Sequence, residues 1–99
     1  MARLKPIHPG AILLKEFIVP LHLNANKLAL ALHVPAPTVY DIIHEERGIS
    51  PEMALRLGYY FRTTPDFWHY LQSEYGLRIV RNEKESTVRS QIRPLDVPA

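Results

Sequence analysis

Two short strings in this chain carry side chains able to do chemistry. The first, His44-Glu45-Glu46-Arg47-Gly48, starts as a zinc-peptidase helix does. That motif needs a second histidine four residues on, so that both imidazoles share one helical face, and position 48 is glycine. The zinc reading fails. His8, His22, His33 and His69 stand at no ligand spacing, and there is no cysteine, so neither a metal site nor a thiolate nucleophile is expected. Ser50 is better used as a helix cap, no Ser-His-Asp set can be built from spacing, and four scattered glycines make no phosphate-cradling loop. The chain is expected to be no enzyme and to need no cofactor. The second string, Ala36-Pro37-Thr38-Val39-Tyr40-Asp41 with His44 one turn further on, offers a hydroxyl, a phenol, a carboxylate and an imidazole. These groups suit recognition better than turnover.

The elements around that string say what it recognises. Leu14, Phe17, Ile18 and Leu21 recur at the spacing of a buried helical face, and Pro20 stops that first helix. Asn24 or Asn26 caps a second helix running to about His33, with Leu28 and Leu32 inward. Pro35 and Pro37 bracket the start of a third, where a missing N–H costs no bond, and Val39, Ile42 and Ile43 form its inner face. Ser50-Pro51-Glu52 opens a fourth, to about Arg62, and Thr64-Pro65-Asp66 a fifth, with Gly76 as its left-handed cap. Beyond Gly76, Leu77 to Arg81 reads as extended, Ser86 to Ile92 as a short helix ended by Pro94, and the last residues as loosely held. Five helices with no strand-period segment predict an all-α domain. The second and third, joined by a turn too short for anything but a corner, have the layout of a helix-turn-helix.

In that layout the N-terminal residues of the second helix of the motif meet base edges. Here these are Ala36, Pro37, Thr38, Tyr40 and Asp41, with His44 beyond them. Thr38 can bond a base or offer its methyl to thymine, Tyr40 can reach a phosphate or stack, and Asp41 can accept only from a cytosine amino group. Lys27 and Arg47 are the expected phosphate clamps. One such helix reads little sequence, so a dimer is expected, with half-sites about 34–36 Å apart.

The ordered residues resemble a known family, the small antitoxins of the HigA/VapI type, helix-turn-helix proteins of the Xre/Cro-repressor class with a lambda-repressor-like domain. The resemblance rests on His8-Pro9-Gly10, Leu28-Ala29, Val34-Pro35, Arg47-Gly48-Ile49-Ser50, Glu52-Met53-Ala54-Leu55-Arg56-Leu57, and Thr64-Pro65-Asp66-Phe67-Trp68 followed by Leu71-Gln72. It covers roughly residues 8–77. It implies a homodimer that represses its own operon through a palindromic double-stranded operator, and that neutralises a cognate HigB-type toxin, a RelE-like ribonuclease cleaving mRNA at the ribosome. Members of the family more often carry a Gly-Lys or Gly-Arg pair where this chain has Glu45-Glu46. The acidic residues motivate a second expectation, a protein-interaction module on the same fold that has lost DNA recognition.

Composition sets the remaining bounds. Ninety-nine residues, 46% apolar, hold one compact core, so residues 1–77 are expected to form the DNA-binding domain and 78–99 a tail serving as a dimer or toxin-binding arm. The net charge of +2 is only a mild hint toward polyanions, but its distribution is uneven. Residues 1–30 carry Arg3, Lys5, Lys15 and Lys27 against Glu16, whereas residues 31–60 carry Arg47 and Arg56 against Asp41, Glu45, Glu46 and Glu52. The apolar run Ala11 to Leu14 is cut by Lys15 and Glu16, so neither a secretory leader nor a membrane span is expected, and the chain is read as cytoplasmic. Trp68 at helical spacing is expected in the core, and Tyr59, Tyr60 and Tyr70 are the better candidates for a partner interface.

Overall fold

A computed structural model of the chain describes residues 5–96, and every regular element in them is helical. Helix α1 (Pro9–Ile12) runs directly into a π-helical segment, Leu13–Ile18; α2 (Ala25–Leu32), α3 (Ala36–Ile43), α4 (Pro51–Phe61) and α5 (Pro65–Gln91) follow. The starts are chemical and local. Asn24 Oδ1 accepts from the Lys27 N–H at 2.8 Å, Ser50 Oγ from Met53 at 3.1 Å and Thr64 Oγ1 from Phe67 at 3.1 Å, each satisfying an N–H that the helix cannot. No helix among the described residues is long and apolar enough to cross a membrane.

Helix one keeps its place and most of its expected face: Leu14, Phe17 and Ile18 pack on the core, Leu13 joins them, and Leu21 does not. Leu13 and Ile18 are buried, Leu14 and Phe17 only partly, and Leu21 is 55% exposed. The π-helical segment admits Leu13 beside them: Val19 N–H donates to Leu14 O at 3.0 Å, five residues back, so the side chains rotate off the 3.6-residue phase. The turn after it closes with Leu23 N–H donating to Ile18 O at 2.9 Å around a left-handed His22. Leu21 lies past the helix, in the turn that Pro20 forces.

The larger correction concerns Gly76, which does not end α5. No described glycine takes a positive φ, and the helix runs through 76 as one piece to Gln91, replacing the expected extended stretch and separate short helix. A single glycine costs about 1 kcal/mol inside a helix. Against it stand three i,i+4 ion pairs, Glu74–Arg78 at 3.2 Å, Arg81–Glu85 at 3.4 Å and Glu85–Arg89 at 3.3 Å, and no proline intervenes before Pro94. The expected loose end falls partly on residues 97–99, outside the described residues. The left-handed caps sit instead on non-glycine residues, His33 after α2 (φ 58°) and Arg62 after α4 (φ 59°).

Trp68 is fully buried at the centre, among Leu13, Leu28, Val39, Ile42 and Leu57 of the same core cluster. Its ring meets Phe17 at 4.9 Å between centroids, and its Nε1–H donates to Thr63 Oγ1 at 2.8 Å, so the one polar atom is satisfied. Tyr59, Tyr60 and Tyr70 are exposed, as their amphipathic rings suggest.

His8 closes the other end of the core. Its Nδ1 accepts from the Gly10 N–H at 2.8 Å, capping α1, and its ring stacks edge-on against Tyr75 at 4.8 Å. Burial pushes this imidazole below the ordinary pKa of 6.5, opposed by the Glu45 carboxylate. As pH falls, the unfolded chain takes the proton first. The cap's contribution is therefore full above pH 6.5 and lost as pH drops below it. Urea unfolding at about pH 7.5 and about pH 5.5 should show lower stability at the acidic value, and a smaller drop in His8→Asn, whose amide oxygen keeps the acceptor without titrating.

Candidate nucleic-acid interface

Three contacts hold α2 and α3 as a corner. The left-handed His33 turns the chain, and the Val34 N–H donates back to Ala29 O at 3.0 Å. The Arg56 guanidinium, reaching from α4, donates to Leu32 O at 2.9 Å and so caps the C-terminal end of α2. At the far end of α3, any side chain at Gly10 would collide with the Ile42 carbonyl, so α1 starts directly against the end of α3. Val39 and Ile42 are wholly buried and fix the helix rotation. Ala36 and Ile43 pack against the same core, and Pro37 and Tyr40 turn outward.

The loop after α3 is fixed as tightly. The buried Ile49 donates its N–H to Gln72 Oε1 at 2.8 Å, and a Cβ at Gly48 would sit 2.7 Å from that same oxygen. A side chain at 48 would push the Gln72 amide off the Ile49 N–H, so glycine there serves that close approach and not an unusual φ. Glu45 is the residue in a left-handed conformation there, at φ 62°, a backbone state that favours glycine.

On this frame the sequence-expected residues fall into groups. Thr38 and Arg47 line one cleft, together with Val34, Pro35, Gly48 and Ser50. Tyr40 and His44 are exposed side by side, rings 6.0 Å apart. Pro37 is exposed, whereas Ala36 is half-buried against the core. Lys27 stands apart, exposed on the first turn of α2. Arg47 Nη2 donates to Asp41 Oδ2 at 3.2 Å, so one expected phosphate clamp is engaged by a carboxylate of α3. Asp41, Glu45 and Glu46 outnumber Arg47 on this surface. Sequence reasoning missed two positioning residues, Arg56 and Gln72. Each acts on a backbone atom more than twenty residues away, and spacing carries no trace of that; the ordered string ending Leu71-Gln72 was the available signal.

A short exposed helix held at a sharp corner, with its start and one flanking loop presented together, defines the helix-turn-helix class of nucleic-acid-binding proteins. Comparison with known proteins then narrows the class. No family model matches the chain. It is 41% identical over 80 residues to virulence-associated protein I of Dichelobacter nodosus, across 81% of this chain and 74% of that protein. It is 46% identical over 78 residues to the HTH-type transcriptional regulator YbaQ of Escherichia coli K12, across 79% and 69% respectively. Among solved structures, the antitoxin HigA of Pseudomonas aeruginosa with the higBA promoter superposes at a TM-score of 0.89 and 48% identity, covering 93% of this chain and 100% of that one. The chain belongs to the HigA/VapI family of helix-turn-helix antitoxins and transcriptional regulators, which are not enzymes.

The Gln72 contact is testable without DNA. Gln72→Ala leaves the buried Ile49 N–H without an acceptor and should cost about 1–3 kcal/mol in urea unfolding. Gln72→Glu, which keeps an acceptor, should cost less.

Proposed function

We propose that the chain is an antitoxin and transcriptional autorepressor of the cytoplasm. As a homodimer it binds double-stranded operator DNA ahead of its own operon, and it neutralises a cognate HigB-type toxin, a RelE-like ribonuclease. The observation that carries this reading is the match, over 93% of the chain, to an antitoxin solved with its promoter. The outward face of α3, free of core contacts, is consistent with it. In this reading residues 1–77 read DNA and 78–99 serve as an arm. Helix α3 enters the major groove with Ala36, Pro37, Thr38 and Tyr40 nearest the bases, Asp41 accepts from a cytosine amino group, and His44 follows one turn on. Lys27 and Arg47 hold phosphates, Arg47 exchanging its Asp41 partner for the backbone.

The acidic flank favours a second reading, a protein-interaction module with weak DNA binding. Asp41 occupying Arg47 is the specific observation behind it. A gel shift on the DNA just upstream of the gene, against scrambled DNA at low and physiological salt, separates the two. The repressor gives a salt-sensitive shift on the upstream DNA alone, and equal binding to both DNAs overturns it. Co-expression with the ribonuclease of the adjacent gene tests the antitoxin half through recovery of growth.

Three variants sharpen the DNA reading. Arg47→Ala should weaken binding to all sequences and lower the slope of log affinity against log salt by about one unit, whereas Thr38→Ala should change sequence preference and leave the slope alone. Glu45→Gly should tighten DNA binding, since it removes a carboxylate, and should raise stability by about 0.5–1 kcal/mol by relieving the left-handed backbone.

A further inference from the structure

Helix α3 carries one charged side chain, Asp41, and it is acidic on a surface that the proposed function sets against a polyanion. Its partner comes from outside the helix. The loop after α3 folds back, the Glu46 N–H donating to Asp41 O at 2.8 Å, and Ile49 is tied to Gln72 beyond it, so Arg47 is carried alongside α3. There Arg47 Nη2 meets Asp41 Oδ2 at 3.2 Å, with the two side chains 52% and 36% exposed. Thr38, three residues before Asp41, shares its helix face and lines a cleft with Arg47. The ion pair therefore lies along the face that carries Thr38. Exposed pairs of this kind stabilise a fold little, so Arg47 is held loosely.

From this pair we infer that Asp41 determines specificity by exclusion, its ion pair with Arg47 exchanging partners when the chain docks on DNA. The inference rests on the DNA reading of α3 in the proposed function, and adds what the carboxylate does on every sequence other than the operator. A phosphate can take Arg47 anywhere, because the backbone is the same at every sequence. Asp41, half-buried and facing a polyanion, then loses its donor wherever the chain docks. In the major groove guanine and thymine present acceptors, adenine sets its amino group beside the N7 acceptor, and cytosine alone presents an amino donor without one. Cytosine therefore restores the bond that Arg47 gave up, whereas any other base leaves a desolvated carboxylate against acceptors. The two cases differ in size. On the operator one bond replaces another and little is gained, while elsewhere the unmet carboxylate weakens binding about 5- to 150-fold. Asp41 thus contributes by what it rejects.

The test uses the full chain and Asp41→Ala, which removes the carboxylate and suits a helix. Fluorescence anisotropy, over a range of salt, gives the affinity for the upstream DNA and for an alternating A·T duplex, which holds no cytosine in any register. Asp41→Ala should bind the A·T duplex about 5- to 150-fold more tightly than the unaltered chain does, and the upstream DNA no more tightly. Its salt slopes should match those of the unaltered chain, because Arg47 already sits on phosphate in both. No tightening on the A·T duplex, or equal tightening on both duplexes as plain charge repulsion gives, overturns the exclusion. A slope steeper by about one unit in Asp41→Ala shows that Arg47 had stayed on Asp41, and overturns the exchange. An unaltered chain with no preference for the upstream DNA overturns the DNA reading of α3 itself, and the inference with it. Should Asp41→Ala fail to fold, single C·G pairs of the upstream DNA changed to T·A give the answer with the unaltered chain. One position in each half-site should then weaken binding about 5- to 150-fold, and a loss at no position overturns the inference.

Discussion

Trp68 is the contact on which the recognition surface depends. Its ring is wholly buried against Phe17, Phe61 and Phe67, and its single polar atom is spent on Thr63, so the start of α5 has one seat on the core. Gln72 lies one helical turn on, and side chains four residues apart share a helix face. Seating Trp68 therefore delivers the Gln72 amide to the Ile49 N–H, which fixes Gly48 and with it the position of Arg47 beside α3. A core aromatic thus sets the distance between Arg47 and α3, the side chain and the helix that the proposed function places on phosphate and on bases. No lid or hinge is needed for such a device, because rigidity itself holds the reading helix in register with the backbone contacts.

The same frame shows which structural information is local and which is not. Asn24, Ser50 and Thr64 could be read directly as helix starts because a capping oxygen and the N–H it serves lie within three residues. Val39, Ile42, Leu28 and Leu32 could be read as inward because one helical period links them. Phase was lost wherever the period changed. The π-helical stretch moved burial to Leu13, and a helix held by charge pairs ran through Gly76, where a stop signal taken alone suggested an end. The left-handed corners at His33, Glu45 and Arg62 carry no glycine to announce them. At position 45 the departure from the family's glycine was read only as a change of charge, and the backbone requirement appeared with the φ of 62°. Arg56 and Gln72 were silent in the sequence because their partners are main-chain atoms of distant segments.

Charge gives this surface its particular character. Basic residues normally supply nonspecific grip through counterion release, and here α3 brings none. Arg47 is shared with Asp41, and Glu45 and Glu46 repel the backbone at the same edge. In the proposed function such a surface would grip the backbone weakly, which would put the burden on base contacts at Thr38 and Tyr40 and on simultaneous engagement of two half-sites. Linking two weak sites raises effective concentration without any new contact.

The central claim is that α3 is the element that enters DNA, at two places set by the dimer. The most direct measurement labels the cysteine of Thr38→Cys with an iron chelate and maps where upstream DNA is cut by the radicals it releases. The account predicts two cleavage centres, one helical turn of DNA or about 34–36 Å apart, within a protected region. Diffuse cleavage, or protection without any cut near the labelled helix, would contradict it.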